Sequence, residues 1–296
     1  LQSEQRKSRR WGIFFKLLTF TYLFALFFLI QFPIGGSIGG ATGEHTAVID
    51  INGTIAADEL ASADNIVGAL RTAFENESSV AVIMRINSPG GSPVQSGIVY
   101  REVQRLKQLH PDKKVYAVIT DVGASGAYFV AAAADEIYSD PASIVGSIGV
   151  VSQGFGYVGA MDKLGVQRRI YSAGDSKTML DPFLPEKESD AEFFATVLQD
   201  VHQQFIDAVK QGRGDRLQNT DKVFSGLFWA GRQALELGLV DGLASAGQVA
   251  REIIGEETIV DYTPQVSPFR ALTGQLGVAM ADRVMTALGI NNISLR

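Results

Sequence analysis

In the stretch "DVGASGAYFVAAAADEIYSD", residues 121–140, Ser125 lies between small residues where a β-like run gives way to an apolar helix. The longer "KVYAVITDVGASGAY" reads as strand, tight turn and helix, a geometry that lifts a nucleophile clear of its turn. It departs from G-x-S-x-G in carrying Ala127 at the second glycine. A serine at a helix N-terminus is also a common cap. A second turn adds to the pattern. "RINSPGGS", residues 85–92, ends a strand in Pro-Gly-Gly. Backbone N–H groups turned outward there would serve a developing oxyanion, each worth about 3–4 kcal/mol in the transition state; an ordinary Gly-rich turn is the plainer reading. Both turns fall at the carboxyl ends of parallel strands, where open α/β sheets put their ligands. Together they suit acyl transfer.

A serine nucleophile needs a base. The chain has no cysteine and three histidines, His45, His110 and His202, each of which reads locally as a surface residue. Lysine is the recognised alternative, provided that burial brings it down from about 10.4 toward neutrality. Lys107, Lys113, Lys114, Lys163, Lys177, Lys187, Lys210 and Lys222 are candidates. Lys177, in "YSAGDSKTMLDPF", has Met179, Leu180 and Phe183 nearby, but pattern alone does not choose among the eight. No H-E-x-x-H or similar metal-ligand spacing occurs, so neither metal nor cofactor is expected.

These residues must be carried by a scaffold, and its outline is legible. The 296 residues, 46% hydrophobic, suffice for one large domain. "TAVIDIN", "SVAVIMRIN", "KVYAVITD", "EIYSD" and "RRIYSAG" read as strands buried on both faces, as in a parallel sheet. Ile66, Val67, Leu70 and Phe74 keep helical spacing, as do residues 93–109; Phe194, Val197, Leu198, Val201, Phe205 and Val209 mark one face of a long helix. The alternation predicts an α/β fold.

At the N-terminus, residues 1–16 form a basic stub and 17–34 an apolar run near the ~20 residues that a spanning helix needs. The expectation is a retained anchor rather than a cleaved signal, with the N-terminus cytoplasmic. A Gly-rich tether (35–45), a catalytic domain (46–264) and an amphipathic tail (265–296) follow. The first sixteen residues hold five basic groups and one acid; the 21 basic and 31 acidic groups after them give a net charge of −10. An acidic domain is a poor match for phosphate, so nucleic acid is not an expected partner.

Taken in order, "NSPGGS", "GASGAYFVAAAADEIY", "GSIGV" (146–150), "SAGDSKTMLDPF", "FIDAVKQGRG" and "ALELGLVDGL" resemble the signal peptide peptidase A family of membrane-bound serine proteases, over residues 46–262. The resemblance implies the spiral of ββα units of the Clp protease and crotonase group, preceded by one transmembrane helix. It implies a Ser–Lys dyad of Ser125 and Lys177, with Ser147 orienting the lysine and Gly91 and Gly126 as oxyanion donors. The backbone of Gly146, Ile148, Gly149 and Val150 would line a groove to which an extended peptide adds as a strand. Residues Asp175 and Ser176 stand where the family often has bulkier groups. It further implies a homo-oligomeric ring of about eight subunits sharing their sites. The ring would sit on the bacterial inner membrane with its catalytic domain on the periplasmic or extracellular side, and would degrade apolar peptides such as cleaved signal peptides. Two other readings of this fold are an acyl-CoA enzyme and a non-catalytic membrane-bound scaffold.

Overall fold

The computed structural model describes residues 2–31, 43–218 and 220–264. Helix α1 (Gln2–Gln31) belongs to a unit separate from Ala41–Pro264. Among the described residues no helix is long and apolar enough to cross a membrane. Of the anchor expected over 17–34, side chains 28–34 lie outside the described residues. So do the tether up to residue 42 and the tail 265–296.

In the unit Ala41–Pro264, β1 (His45–Asn52), β2 (Ser79–Ser88) and β3 (Val115–Ala124) form the centre of a mixed sheet. Helices α2 (Ala63–Glu75), α3 (Pro93–Leu109) and α4 (Gly126–Ala131) alternate with them. The sheet is completed by β4 (Glu136–Ser139), β5 (Ile144–Gly146), β6 (Phe228–Ala230), β7 (Gly242–Leu243) and β8 (Ile259–Asp261). Its main order is β6-β5-β3-β2-β1-β8, and all pairings are parallel except β5 with β6. This fits the expected Clp/crotonase-like α/β fold.

The unbroken apolar runs are explained by burial on both sheet faces. Ala47, Ile49, Ile51, Val82, Met84, Ile86, Val115, Ala117 and Ile119 pack with the α2, α3 and α4 side chains in one core. Their period-two neighbours Val48, Ala81, Ile83, Tyr116 and Val118 fill a second core with Ala246, Val249 and Ala250. Strand β3 is divided along one edge: Tyr116–Ile119 pair with β4, and Val122–Ala124 with β5. Its register against β2 shifts between Ile86 and Ser88. The strand therefore changes neighbours just before Ser125.

Beyond β5 the chain leaves the core. Helix α5 (Val158–Leu164) has no buried residue. Helix α6 (Glu188–Arg213) fully buries only Phe205, Ala208, Val209 and Arg213 near its C-terminus; earlier on its predicted apolar stripe Phe194, Leu198 and Val201 are half-buried and Val197 is exposed. "RRIYSAG" is not a strand: Tyr171 is 95% exposed and nothing pairs with the segment among the described residues. β-propensity without a neighbouring edge does not make a strand. The turns of this arm hold one another: Tyr157 stacks on Phe183 with centroids 5.2 Å apart, and Arg168 bonds Asp181 at 3.0 Å.

His45 is not a surface residue. It is fully buried, its Nδ1 lying 3.0 Å from the Gly43 carbonyl and its Nε2 2.9 Å from the Tyr262 hydroxyl. This joins the start of β1 to the residue after β8. After α6 come α7 (Thr220–Val223), α8 (Gly231–Glu236) and α9 (Ala246–Gln248). Arg213 closes this region onto the sheet. It is 1% exposed and forks onto Asp241 at 2.6 and 2.9 Å, while Asp241 also accepts from the Ile137 N–H. Burial pushes the Asp241 carboxyl up, but the hydrogen bonds from Arg213 and Ile137 together with the charges of Arg213 and Arg216 hold the group below its ordinary value.

Breaking a buried pair leaves an uncompensated charge, worth about 3–5 kcal/mol. Asp241→Ala is expected to lose about that much in urea denaturation, whereas Arg216→Ala, half-exposed on the same carboxylate, should lose under about 1 kcal/mol. Equal losses would contradict this account. On α3, hydrogen bonds from Arg105 and then Arg71 hold the Glu102 carboxyl down from 4.5 to about 2. Its stabilising contribution is complete above pH 4.5 and is lost as the pH falls toward 2. Glu102→Gln should flatten the stability profile over that window, and an unchanged slope would refute the pairing.

Candidate functional site

Ser125 stands between β3 and α4 with φ 53 and ψ −129. Among the described residues only Ser125, Ser147 and Leu180 hold positive φ without being glycine. Such a conformation costs about 1–3 kcal/mol and survives only where the surroundings enforce it. Here they do. The Ser125 N–H donates to the Gly146 carbonyl at 2.8 Å, and the Ser125 carbonyl accepts from the Phe129 N–H at 3.0 Å. The cap reading fails, because the Ser125 side chain makes no capping bond.

The Pro-Gly-Gly loop lies directly against this turn. A Cβ on Gly90 would meet the Gly126 nitrogen at 2.6 Å, the Ala124 oxygen at 2.7 Å and the Ser125 Cβ at 2.9 Å. Only glycine permits that approach, at φ 96. Gly91 forms an isolated parallel bridge with Ile55: the Ile55 N–H donates to the Gly90 carbonyl at 2.9 Å, and the Ser92 N–H to the Ile55 carbonyl at 2.8 Å. Both bonds flank Gly91 on one side, so its own N–H faces the other. That nitrogen lies 3.3 Å from where a Cβ on Gly126 would stand. Among the described residues neither the Gly91 nor the Gly126 N–H has a hydrogen-bond acceptor. Two donors without an acceptor among the described residues thus lie beside one half-buried serine.

Ser96 was not singled out in the sequence. It follows the Ser92 cap by one turn on the inner face of α3, and that spacing is the signal that could have found it. Its hydroxyl is buried without a partner and lies 2.5 Å from the Cβ position of Gly126.

The expected groove is narrower than its motif. Gly146 is paired on both edges, with Ala124 of β3 and Phe228 of β6, leaving no edge for an added strand. The Ile148 side chain is buried in the core, and its carbonyl lies 3.1 Å from His202 Nε2. From Gly149 to Gly156 the backbone makes no hydrogen bond among the described residues, so the open edge begins at Gly149 and Val150. Ser147 sits at φ 52, its N–H bonded to the Leu227 carbonyl at 2.7 Å.

No lysine of the described chain is bonded to Ser125. Lys177 is exposed in the arm, with no side-chain partner among the described residues; its N–H donates to Gly174. Burial pushes the Lys113 ammonium down, yet it donates to the carbonyls of Ala73, Phe74 and Asn76 at the C-terminus of α2. It lies at the opposite end of β3 from Ser125. Lys107 is held by Asp135 at 2.7 Å, and Lys210 lies over Phe224. No group of three or more metal-ligating residues occurs among the described residues.

Comparison with known proteins meets this geometry independently. A family profile described as peptidase family S49 matches residues 107–258. A Brucella abortus protein named Na(+)/H(+) antiporter NhaA is 45% identical over 208 residues, 70% of this chain and 28% of its own length. A putative protease of Synechocystis is 32% identical over 247 residues, 79% of this chain and 84% of the relative. A putative signal peptide peptidase SppA of Enterococcus faecium is 27% identical over 232 residues, 76% and 67% of the two chains. The chain thus spans little more than a quarter of the Brucella relative and most of the Synechocystis one. By the profile match over half of its length and the likeness to the Synechocystis protein, the chain belongs to peptidase family S49.

Proposed function

We propose that this chain is a serine endopeptidase working through Ser125 and a lysine base. The observation that carries the reading is the left-handed Ser125 turn, packed on Gly90 beside the unused N–H groups of Gly91 and Gly126. In the first step Ser125 Oγ bonds to the peptide carbonyl carbon while its proton passes to a neutral amine. The carbonyl oxygen takes the negative charge and is held by the two N–H donors. Collapse breaks the C–N bond, and the ammonium returns its proton to the leaving amine. Water then repeats the sequence on the acyl-enzyme, releasing the acid and restoring the Ser125 hydroxyl.

Lys177 is the proposed base, oriented by Ser147 and brought to Ser125 from a second copy. Two features support this. Among the described residues the Lys177 side chain has no partner, and the arm bearing it exposes apolar groups, Phe155 at 79% and Tyr171 at 95% among them. Burial of such surface is what drives stable assembly. A ring of about eight copies is the assembly proposed, following the resemblance. Proposed substrates are apolar peptides, cleaved signal peptides foremost. The proposed location is the bacterial inner membrane, N-terminus inside and catalytic unit outside. The uncharged run from Leu17 to Gly43 behind five basic residues supports it. So does the described part of α1, where exposed apolar rings surround Thr19, whose hydroxyl bonds back to the Phe15 carbonyl at 2.8 Å.

Lys177→Ala should lower kcat on an apolar peptide by about 10²–10⁴, the usual worth of a general base. Ser125→Ala subunits co-assembled with Lys177→Ala subunits should recover up to roughly a quarter of wild-type activity, if sites are shared in a symmetric ring. No recovery from verified mixed particles would sink the shared site. The glycines give a separate test. Gly90→Ala should cost at least about a hundredfold in kcat/KM, the scale of one lost oxyanion donor, and no second substitution should restore it, because the obstruction is backbone. Gly126→Ala should be partly restored by Ser96→Gly, since there the nearest obstruction is the Ser96 hydroxyl. Retention of activity within tenfold by Gly90→Ala would count against the oxyanion assignment.

A further inference from the structure

Helix α6 meets the candidate site at two points one turn apart. Phe205 stacks on Phe129 of α4, centroids 4.9 Å apart and planes at 15°. The helix thus rests on the element that begins at Ser125. Three residues earlier, His202 Nε2 reaches the Ile148 carbonyl at 3.1 Å. A carbonyl oxygen only accepts, so this nitrogen carries a hydrogen and donates. The neutral Nε2–H tautomer and the imidazolium both satisfy that requirement.

What this bond constrains follows from its place in the chain. Upstream, the Gly146 carbonyl holds the Ser125 N–H, and the Ser147 N–H is fixed on the Leu227 carbonyl. Downstream of Ile148, residues 149–156 make no backbone hydrogen bond among the described residues. Between the Ser147 N–H and the Ile148 carbonyl lie four soft torsions, φ and ψ of the two residues. One of them is the strained φ of 52 at Ser147. Without His202 the chain would be clamped on one side of those torsions and loose on the other. The buried Ile148 side chain anchors Cβ but leaves the orientation of its carbonyl open. A side chain serving the core alone would need no donor aimed at that oxygen.

We infer that His202 is a positioning residue for hydrolysis: its bond to the Ile148 carbonyl keeps Ser147 in the left-handed conformation from which it orients the lysine base. The inference rests on the proposed roles of Ser147 and Lys177. His202 touches no reacting atom, so its loss is expected to fall on the chemical step more than on substrate binding, and the Ser125 turn keeps its own bonds to Gly146 and Phe129.

The test is steady-state kinetics on the full chain, with each preparation titrated by a fluorophosphonate so that rates refer to reactive Ser125. His202→Ala is expected to lower kcat per titrated site about tenfold, the scale of one modest hydrogen bond acting on the barrier, with KM changed less than about twofold. His202→Gln, whose amide N–H reaches about as far as Nε2, should recover most of that loss. If His202→Ala does not fold, His202→Leu takes its place, filling the volume without donating. Wild-type kcat per site in the variant lacking a donor, or a His202→Gln enzyme no better than that variant, overturns the inference. A fall fully explained by fewer titratable sites does so as well. Lys177→Ala is measured alongside. Full activity in that variant removes the lysine reading and this inference together; its inactivity beside a normal His202→Ala enzyme removes this inference alone.

Discussion

A serine held at φ 53 is an expensive way to turn a strand into a helix, and the surrounding sheet is arranged so that no other turn fits. Strand β3 exchanges β4 for β5 along its edge just before the turn, which brings the Gly146 carbonyl under the Ser125 N–H. Gly90 fills the remaining space from the other side, so closely that no side chain could be added to it. The Ile55 bridge sets Gly91 so that its N–H points away from that bridge. Each of these features is ordinary by itself. Together they hold one hydroxyl beside two backbone donors whose charge preference is set before any substrate arrives, the arrangement that makes electrostatic stabilisation effective.

The core and the arm follow opposite rules. In the core, strands are covered on both faces and even a buried guanidinium, that of Arg213, has its partners in place. The arm from Val151 through the first half of α6 holds itself by a few contacts, among them Tyr157 on Phe183 and Arg168 on Asp181, and leaves large apolar groups exposed. Lys177 belongs to this second region while Ser125 belongs to the first. The proposed division of one site between two copies is the simplest arrangement that gives both regions what they lack: cover for the arm, and a base for the serine.

Much was legible from the chain alone. The central strands were visible because burial on both faces writes an unbroken apolar run. Helix α3 was readable from residues 93–109, where Pro93 follows the Ser92 cap. The glycine pair and the serine turn stood out because such sites demand small residues, and positive φ makes that demand local. The misreadings share one cause. "RRIYSAG" had strand composition and no edge to join; His45 looked solvated because its partner, Tyr262, is remote in the sequence. That Ile148 is the side chain of "GSIGV" turned into the core was likewise unwritten, because a run of five small and apolar residues does not announce which one points inward.

The sequence by itself determined which backbone positions tolerate strain and which segments are apolar enough to be buried, since both depend on residue type and near neighbours. Only the tertiary structure decided which N–H groups remain unused, which histidine is a clamp, and that among the described residues no lysine is bonded to the serine. Those facts are consequences of pairing between distant segments. A hydrogen bond from Ile55 or His202 removes one partner and frees another, and no local pattern records where the far end of such a bond will fall.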